Sequence, residues 1–172
     1  MKFTESEKLF KKAIKIIPLG SQTFSKSKLV YPYGFAPLFA TKAKGNHIWD
    51  VDGNKYIDLI NALLPIIIGY RDKSVDNAII KQLNKGTIFS LASVIELKLS
   101  KLLCKIIPSA EMARFGKNGS DATTACIRLA RAYTKRDYII CCGYHGWQDW
   151  FIGTTNKDLG VPNSIKKLTF KV

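Results

Sequence analysis

At 172 residues and 47% hydrophobic, the chain is long enough for a real core, and its 23% charged content excludes a disordered polymer. The formal net charge of +14 admits two readings: a nucleic-acid or anionic-membrane surface, or a lysine-rich chain balanced by acids elsewhere. The second is favoured, because lysines are scattered and arginine is confined to Arg71, Arg114, Arg128, Arg131 and Arg136.

From the N-terminus, residues 5–17 read as an amphipathic helix, with Leu9, Phe10, Ala13, Ile14 and Ile17 at helical spacing and Pro18 and Gly20 as its stop. Residues 21–45 have no clear period and read as an extended, loop-rich segment. Alternating apolar residues on either side of Asp52-Gly53-Asn54 predict a β-hairpin. Ser74 ahead of Val75, Ala78, Ile79 and Leu83 predicts a short capped helix closed by Gly86. Ser93 with Glu96 predicts a capping box, opening a helix lined by Ile95, Leu99, Leu102, Leu103 and Ile106 and stopped by Pro108. Residues 112–116 read as a strand, 122–133 as a helix, and 138–142 as a second strand. The division expected is 1–70 as an N-terminal helix, loop and hairpin segment, and 71–172 as the start of a larger domain. Residues 168–172 alternate like a strand, and a chain end there, without a polar tail, is read as truncation.

Cysteines stand at 104, 126, 141 and 142, and with two of them adjacent no disulfide framework is expected. Cys141, Cys142 and His145 are not expected to form a metal site, since neighbouring strand residues point to opposite faces. The first residues carry Glu5 and Glu7 where a signal peptide needs an apolar run. The longest apolar run, 62–68, is interrupted by Pro65 and too short for a bilayer. A soluble, cytoplasmic protein without a membrane or nucleic-acid partner is the expectation.

A strand–helix–strand unit over 112–142 is most simply a right-handed crossover between parallel strands, which brings the two carboxyl-end loops to one sheet edge. Gly119 lets backbone approach a ligand closely, and Ser120 and Asp121 open the helix, whose free N–H groups attract a phosphate. A plain helix cap over 118–121 is the simpler alternative. The second loop, Gly143-Tyr144-His145-Gly146-Trp147, gathers rings between glycines, and such rings are costly to order unless they cover something. Together the loops suit a flat, phosphorylated ligand.

The run Arg114-Phe115, Asn118-Gly119-Ser120-Asp121-Ala122, Ile127 to Thr134, Arg136-Asp137 and Gly143-Tyr144-His145-Gly146 resembles the class III aminotransferases, most nearly the glutamate-1-semialdehyde 2,1-aminomutase branch. The hairpin from Ile48 to Asp58 resembles the N-terminal region of the same family. The resemblance implies an α/β, fold-type-I enzyme with a large, mostly parallel-sheet domain, using pyridoxal 5'-phosphate (PLP). It implies that Gly119 and Ser120 bind the cofactor phosphate, that Tyr144 stacks on the pyridine ring, and that His145 lies beside it. From the residues alone, His145 is open to either a proton-carrying or a loop-packing role. An amino donor, a carbonyl acceptor and a homodimer when full length are implied as partners.

Two departures stand out. The aminomutases carry an arginine in the early loop, whereas residues 20–27 here have none; Lys26 and Lys28 supply charge without the bidentate fork. Trp147 also places an indole where the aminomutases usually carry another residue. Both favour a related transaminase with another acceptor. By resemblance, the Schiff-base lysine and the aspartate paired with the pyridinium lie after Val172, so no catalytic residue is expected within the chain, which alone should lack turnover. The alternative retained is a non-catalytic basic module for nucleic acid or phosphorylated ligands.

Overall fold

Helix α1 (Thr4–Ala13) starts without a cap of its own, since Phe3 at the N-cap position offers no side-chain acceptor. Asp52, far along the chain, supplies one: its carboxylate accepts from Glu5 N at 2.7 Å and Ser6 N at 2.9 Å. The helix buries Ser6, Phe10 and Ala13. It ends earlier than the predicted residue 17, because Lys15 and Ile16 tighten onto Lys12 and Ala13 and Pro18 bars continuation. Gly20, at φ +72°, lies flat against the Phe10 ring, where a Cβ would come within 2.5 Å of a ring carbon.

The computed structural model describes residues 1–172, which divide into two compact units, Met1–Ser90 and Leu91–Val172. In the first, the expected hairpin is present as β2 (His47–Asp50) and β3 (Lys55–Ile57), antiparallel, with Gly53 at φ +85° in the turn. A third strand, β1 (Ala40–Lys44), pairs with β2. This corrects the loop reading of 21–45 at its end. Thr41, Lys42 and Lys44 are exposed, so this edge strand is held by its ladder and has no apolar alternation to announce it.

Asp50, only 3% exposed, anchors the sheet. It accepts from Asn54 N and Nδ2 at 2.8 Å each and from Tyr56 Oη at 2.7 Å. Asp58 accepts from Ile60 N, Asn61 N and Tyr70 Oη, bracing residues 61–64, which all have positive φ between 51° and 80°. A left-handed run of non-glycine residues costs about 1–2 kcal/mol per residue, so this turn needs its carboxylate brace. Gly45 and Tyr70 exchange backbone bonds, which places residues 70–73 beside the strands. Helix α2 (Lys73–Leu83) is capped by Asp72, which accepts from Ser74 N and Val75 N, and not by Ser74 itself.

In the second unit, α3 (Val94–Ile106) opens on the predicted Ser93–Glu96 capping box. Residues 112–116 are not a strand: they have no ladder partner and stay irregular. Helix α4 (Gly119–Thr134) follows, capped by Asn118 and closed by Lys135 in the left-handed conformation. Strand β4 (Ile139–Cys141) pairs in parallel with β5 (Thr169–Lys171). The parallel crossover thus runs through α5 (Asp149–Ile152) and α6 (Asn163–Lys166), not from 112–116 as expected. Its core is Cys141, Trp150 and Phe151, with Ile127 and Ile139 packed against them. Helices α3 and α4 bury no residue fully. No helix is long and apolar enough to cross a membrane.

Candidate functional site

The first turn of α4 keeps two backbone donors unused. Asn118 Oδ1 accepts from Asp121 N at 3.0 Å, while Asp121 Oδ2 turns back to accept from Lys117 N at 3.1 Å and Asn118 N at 3.3 Å. The reciprocal cap leaves the Gly119 and Ser120 N–H groups, and the Ser120 hydroxyl, without protein partners. A Cβ added to Gly119 would meet nothing within 4 Å, so the space before these donors is open. Cap and anion cradle therefore coexist, the carboxylate folding away from the free donors. That geometry fits a phosphate group.

The loop after β4 is fastened to the same helix turn. Gly146, at φ +108°, lies so close to Ser120 that a Cβ would sit 2.8 Å from the serine Cβ and collide with its hydroxyl. Thr123 Oγ1 donates to the His145 carbonyl at 2.9 Å. Trp150 Nε1 donates to Thr124 Oγ1 at 3.1 Å, fixing the start of α5 against α4. These contacts bring Gly119 and Ser120 together with Tyr144 and His145, which stand 24 or more positions later in the sequence.

Within the loop the two rings differ. Tyr144 is 77% exposed and touches Phe151 edge-on at 5.6 Å, so most of its ring is free to cover a ligand. The His145 ring is engaged internally: Nε2 lies 2.6 Å from the Cys142 carbonyl, and the ring stacks on Trp150 at 5.9 Å and meets Phe151 edge-on at 5.4 Å. Burial pushes the neighbouring Cys141 thiol above its ordinary range, opposed by the Lys171 ammonium, which keeps it an inert core group. Sequence reasoning missed Thr123, Gly146 and Trp150 as the fastenings. The available signals were a threonine pair in the second turn of α4 and an indole N–H that needs a partner when buried.

Residues 31–172 match the family described as aminotransferase class III, and the chain belongs to that family. It is 44% identical over 170 residues to a 3-aminobutyryl-CoA aminotransferase of Cloacimonas acidaminovorans, covering 96% of this chain and 39% of the relative. It is 40% identical to a glutamate-1-semialdehyde 2,1-aminomutase of Thermodesulfovibrio yellowstonii, with coverages of 96% and 39%. Among solved structures it superposes on the PLP-containing FumI protein of Sphingopyxis sp. MTA144 with a TM-score of 0.88 at 32% identity, covering 98% of this chain and 40% of that one. An omega-transaminase from Sphaerobacter thermophilus gives a TM-score of 0.84 at 28% identity, with coverages of 97% and 41%. The fold is thus the fold-type-I transaminase fold, and the family's cofactor is pyridoxal 5'-phosphate. The chain spans 39% of the length of these two curated relatives.

Proposed function

We propose that the chain is the N-terminal part of a PLP-dependent transaminase or aminomutase. Residues 1–70 form the N-terminal segment and 71–172 begin the large cofactor domain. Gly119 N–H, Ser120 N–H and the Ser120 hydroxyl hold the phosphate, Tyr144 covers the pyridine ring, and His145 positions the loop through the Cys142 carbonyl and Trp150. The observation that carries this reading is the fastening of the 143–146 loop onto the open N-terminus of α4. When bound, PLP supplies an electron sink for the carbon bearing the amino group. This chain's residues anchor and orient that group, and the exposed Tyr144 ring shields one side from water.

The remaining length of the relatives supplies the lysine and the ring-pairing aspartate in this proposal, so the 172-residue chain alone gives no turnover. The full-length protein is proposed to be a cytoplasmic homodimer that moves an amino group from a small donor to a carbonyl acceptor. Absence of arginine from residues 20–27 favours a transaminase over an aminomutase that clamps a substrate carboxylate. Similarity to a 3-aminobutyryl-CoA aminotransferase supports a coenzyme A ester as the substrate class.

Equilibrium binding of pyridoxamine 5'-phosphate tests the site without covalent capture by surface lysines. Gly119→Val, whose Cβ would meet nothing within 4 Å, is expected to weaken binding most by blocking phosphate approach. Tyr144→Ala should cost about 0.5–1.5 kcal/mol beyond the buried area it loses. Unchanged affinity in both variants would remove the site.

A further inference from the structure

The antiparallel sheet of the first unit carries a face that the proposed cofactor site leaves unused. Register sets Trp49 opposite Lys42 on β1 and Lys55 on β3, and sets His47 opposite Lys44. Alternate strand residues share a face, so these five side chains form one cross-strand platform. The Lys42 and Lys55 ammoniums lie 4.9 and 5.4 Å from the Trp49 ring centroid, and the His47 ring lies 6.1 Å from it. Lys44, His47, Trp49 and Lys55 of this platform wall an open cleft of about 640 Å³, to which Arg71 and Lys73 also contribute.

The charge here is unbalanced. The chain's ion pairs are Lys8–Glu5, Arg71–Asp76 and Lys166–Asp158, so none of Lys42, Lys44, Lys55 and Lys73 has a carboxylate partner. Asp72, the cleft's one acid, is engaged in capping α2. Like charges gathered around one indole repel unless an anion joins them. A flat ring beside several free ammoniums suits a ligand with a stackable base and two or more phosphates. The cleft volume falls within the range of about 300–1,000 Å³ that such ligands occupy. Of the cleft's other rings, His47 packs beside Trp49 and Tyr70 is tied through its hydroxyl to Asp58, which leaves one indole for stacking, whereas a nucleic-acid strand uses a series of aromatic platforms for successive bases.

We propose that this cleft binds a nucleoside diphosphate group, with the base on Trp49 and the phosphates on Lys44, Lys55 and Lys73, and that the group is the nucleotide handle of a coenzyme A ester. The site itself stands on the platform geometry; only its use as a substrate handle rests on the transaminase reading. Part of the chain's net positive charge thereby acquires a function.

Calorimetric titration of the 172-residue chain with coenzyme A, ADP, adenosine, inorganic phosphate and a single-stranded oligonucleotide tests the proposal. Coenzyme A and ADP are expected to bind at least about tenfold more tightly than adenosine or phosphate, with coenzyme A the tighter. Trp49→Leu should weaken ADP about tenfold and leave phosphate unchanged. The exposed variants Lys44→Gln and Lys55→Gln, which do not threaten the fold, should each weaken both nucleotides and flatten their salt dependence. All three should retain pyridoxamine 5'-phosphate as the wild type does, so failure here is separable from failure of the cofactor site. Phosphate binding as tightly as ADP, or no effect of the lysine variants, overturns the nucleotide site. ADP matching coenzyme A overturns the handle assignment, and tighter binding of the oligonucleotide overturns the proposal in favour of nucleic acid.

Discussion

In Met1–Ser90 the buried side chains include Ser6, Ser27 and the carboxylate Asp50, beside Phe10 and Ala13; in Leu91–Val172 they are chiefly Cys141, Trp150, Phe151 and Val161. The first unit is tied by carboxylates that reach across the sequence: Asp52 to the start of α1, Asp50 to the hairpin, and Asp58 to the 60–61 turn and Tyr70. The second is nucleated by three apolar side chains, while Leu99 on α3 and Leu129 on α4 stay 41% and 69% exposed. One unit depends on the ionisation of its acids, the other on apolar cover. They should therefore fail under different stresses.

The largest expected effect is on the apolar unit. Phe151 is 1% exposed and touches Tyr144, His145 and Trp150, so Phe151→Ala should cost about 3–5 kcal/mol. Hydrogen exchange should then show lost protection across 91–172 with 1–90 retained. Equal loss in both units would erase the contrast. Next comes Asp50→Ala, which leaves Asn54 and Tyr56 donors without their acceptor and should cost about 1–3 kcal/mol, confined to the first unit.

The pH response sharpens the comparison without mutation. Burial pushes Asp50 up, but hydrogen bonds from Asn54 and Tyr56 outweigh it and hold the carboxyl below its ordinary range; Asp58 is held down likewise by Tyr70 and the 60–62 backbone. A depressed acid contributes stability above its unfolded value of 3.8, which is lost as pH falls through the folded one. Burial and the neighbouring carboxylates raise Tyr56 and Tyr70 from 10.0 to about 12. Their contribution is present below 10.0 and disappears as pH rises through about 12. Exchange rates at the two extremes should rise first in 1–90. The half-buried Asp158–Lys166 pair of the second unit adds a smaller acid response. A second unit that opens first in acid would contradict the assignment.

The same contrast explains what could be read from sequence. Local signals served well: the Asp52-Gly53-Asn54 turn, the Ser93–Glu96 box, helix α4 and the final strand all appear as expected. Long-range polar ties gave no signal, because an aspartate capping a helix from 47 positions away looks like any turn aspartate. Edge strand β1 lacked alternation, and residues 112–116 have the composition of a strand but no neighbour to pair with. Gly119, Ser120, Tyr144 and His145 were legible as two loops. Their fastening through Thr123 and Gly146 was not, since it depends on three-dimensional approach.

The central claim, that α4 and the 143–146 loop form one phosphate-anchored cofactor site, is tested most directly by amide NMR during titration with pyridoxamine 5'-phosphate, using pyridoxamine as the control. The account predicts that the Gly119 and Ser120 amides shift with the phosphorylated compound alone, while Tyr144 ring signals respond to both. Unmoved Gly119 and Ser120 amides, or equal shifts with and without the phosphate, would contradict it.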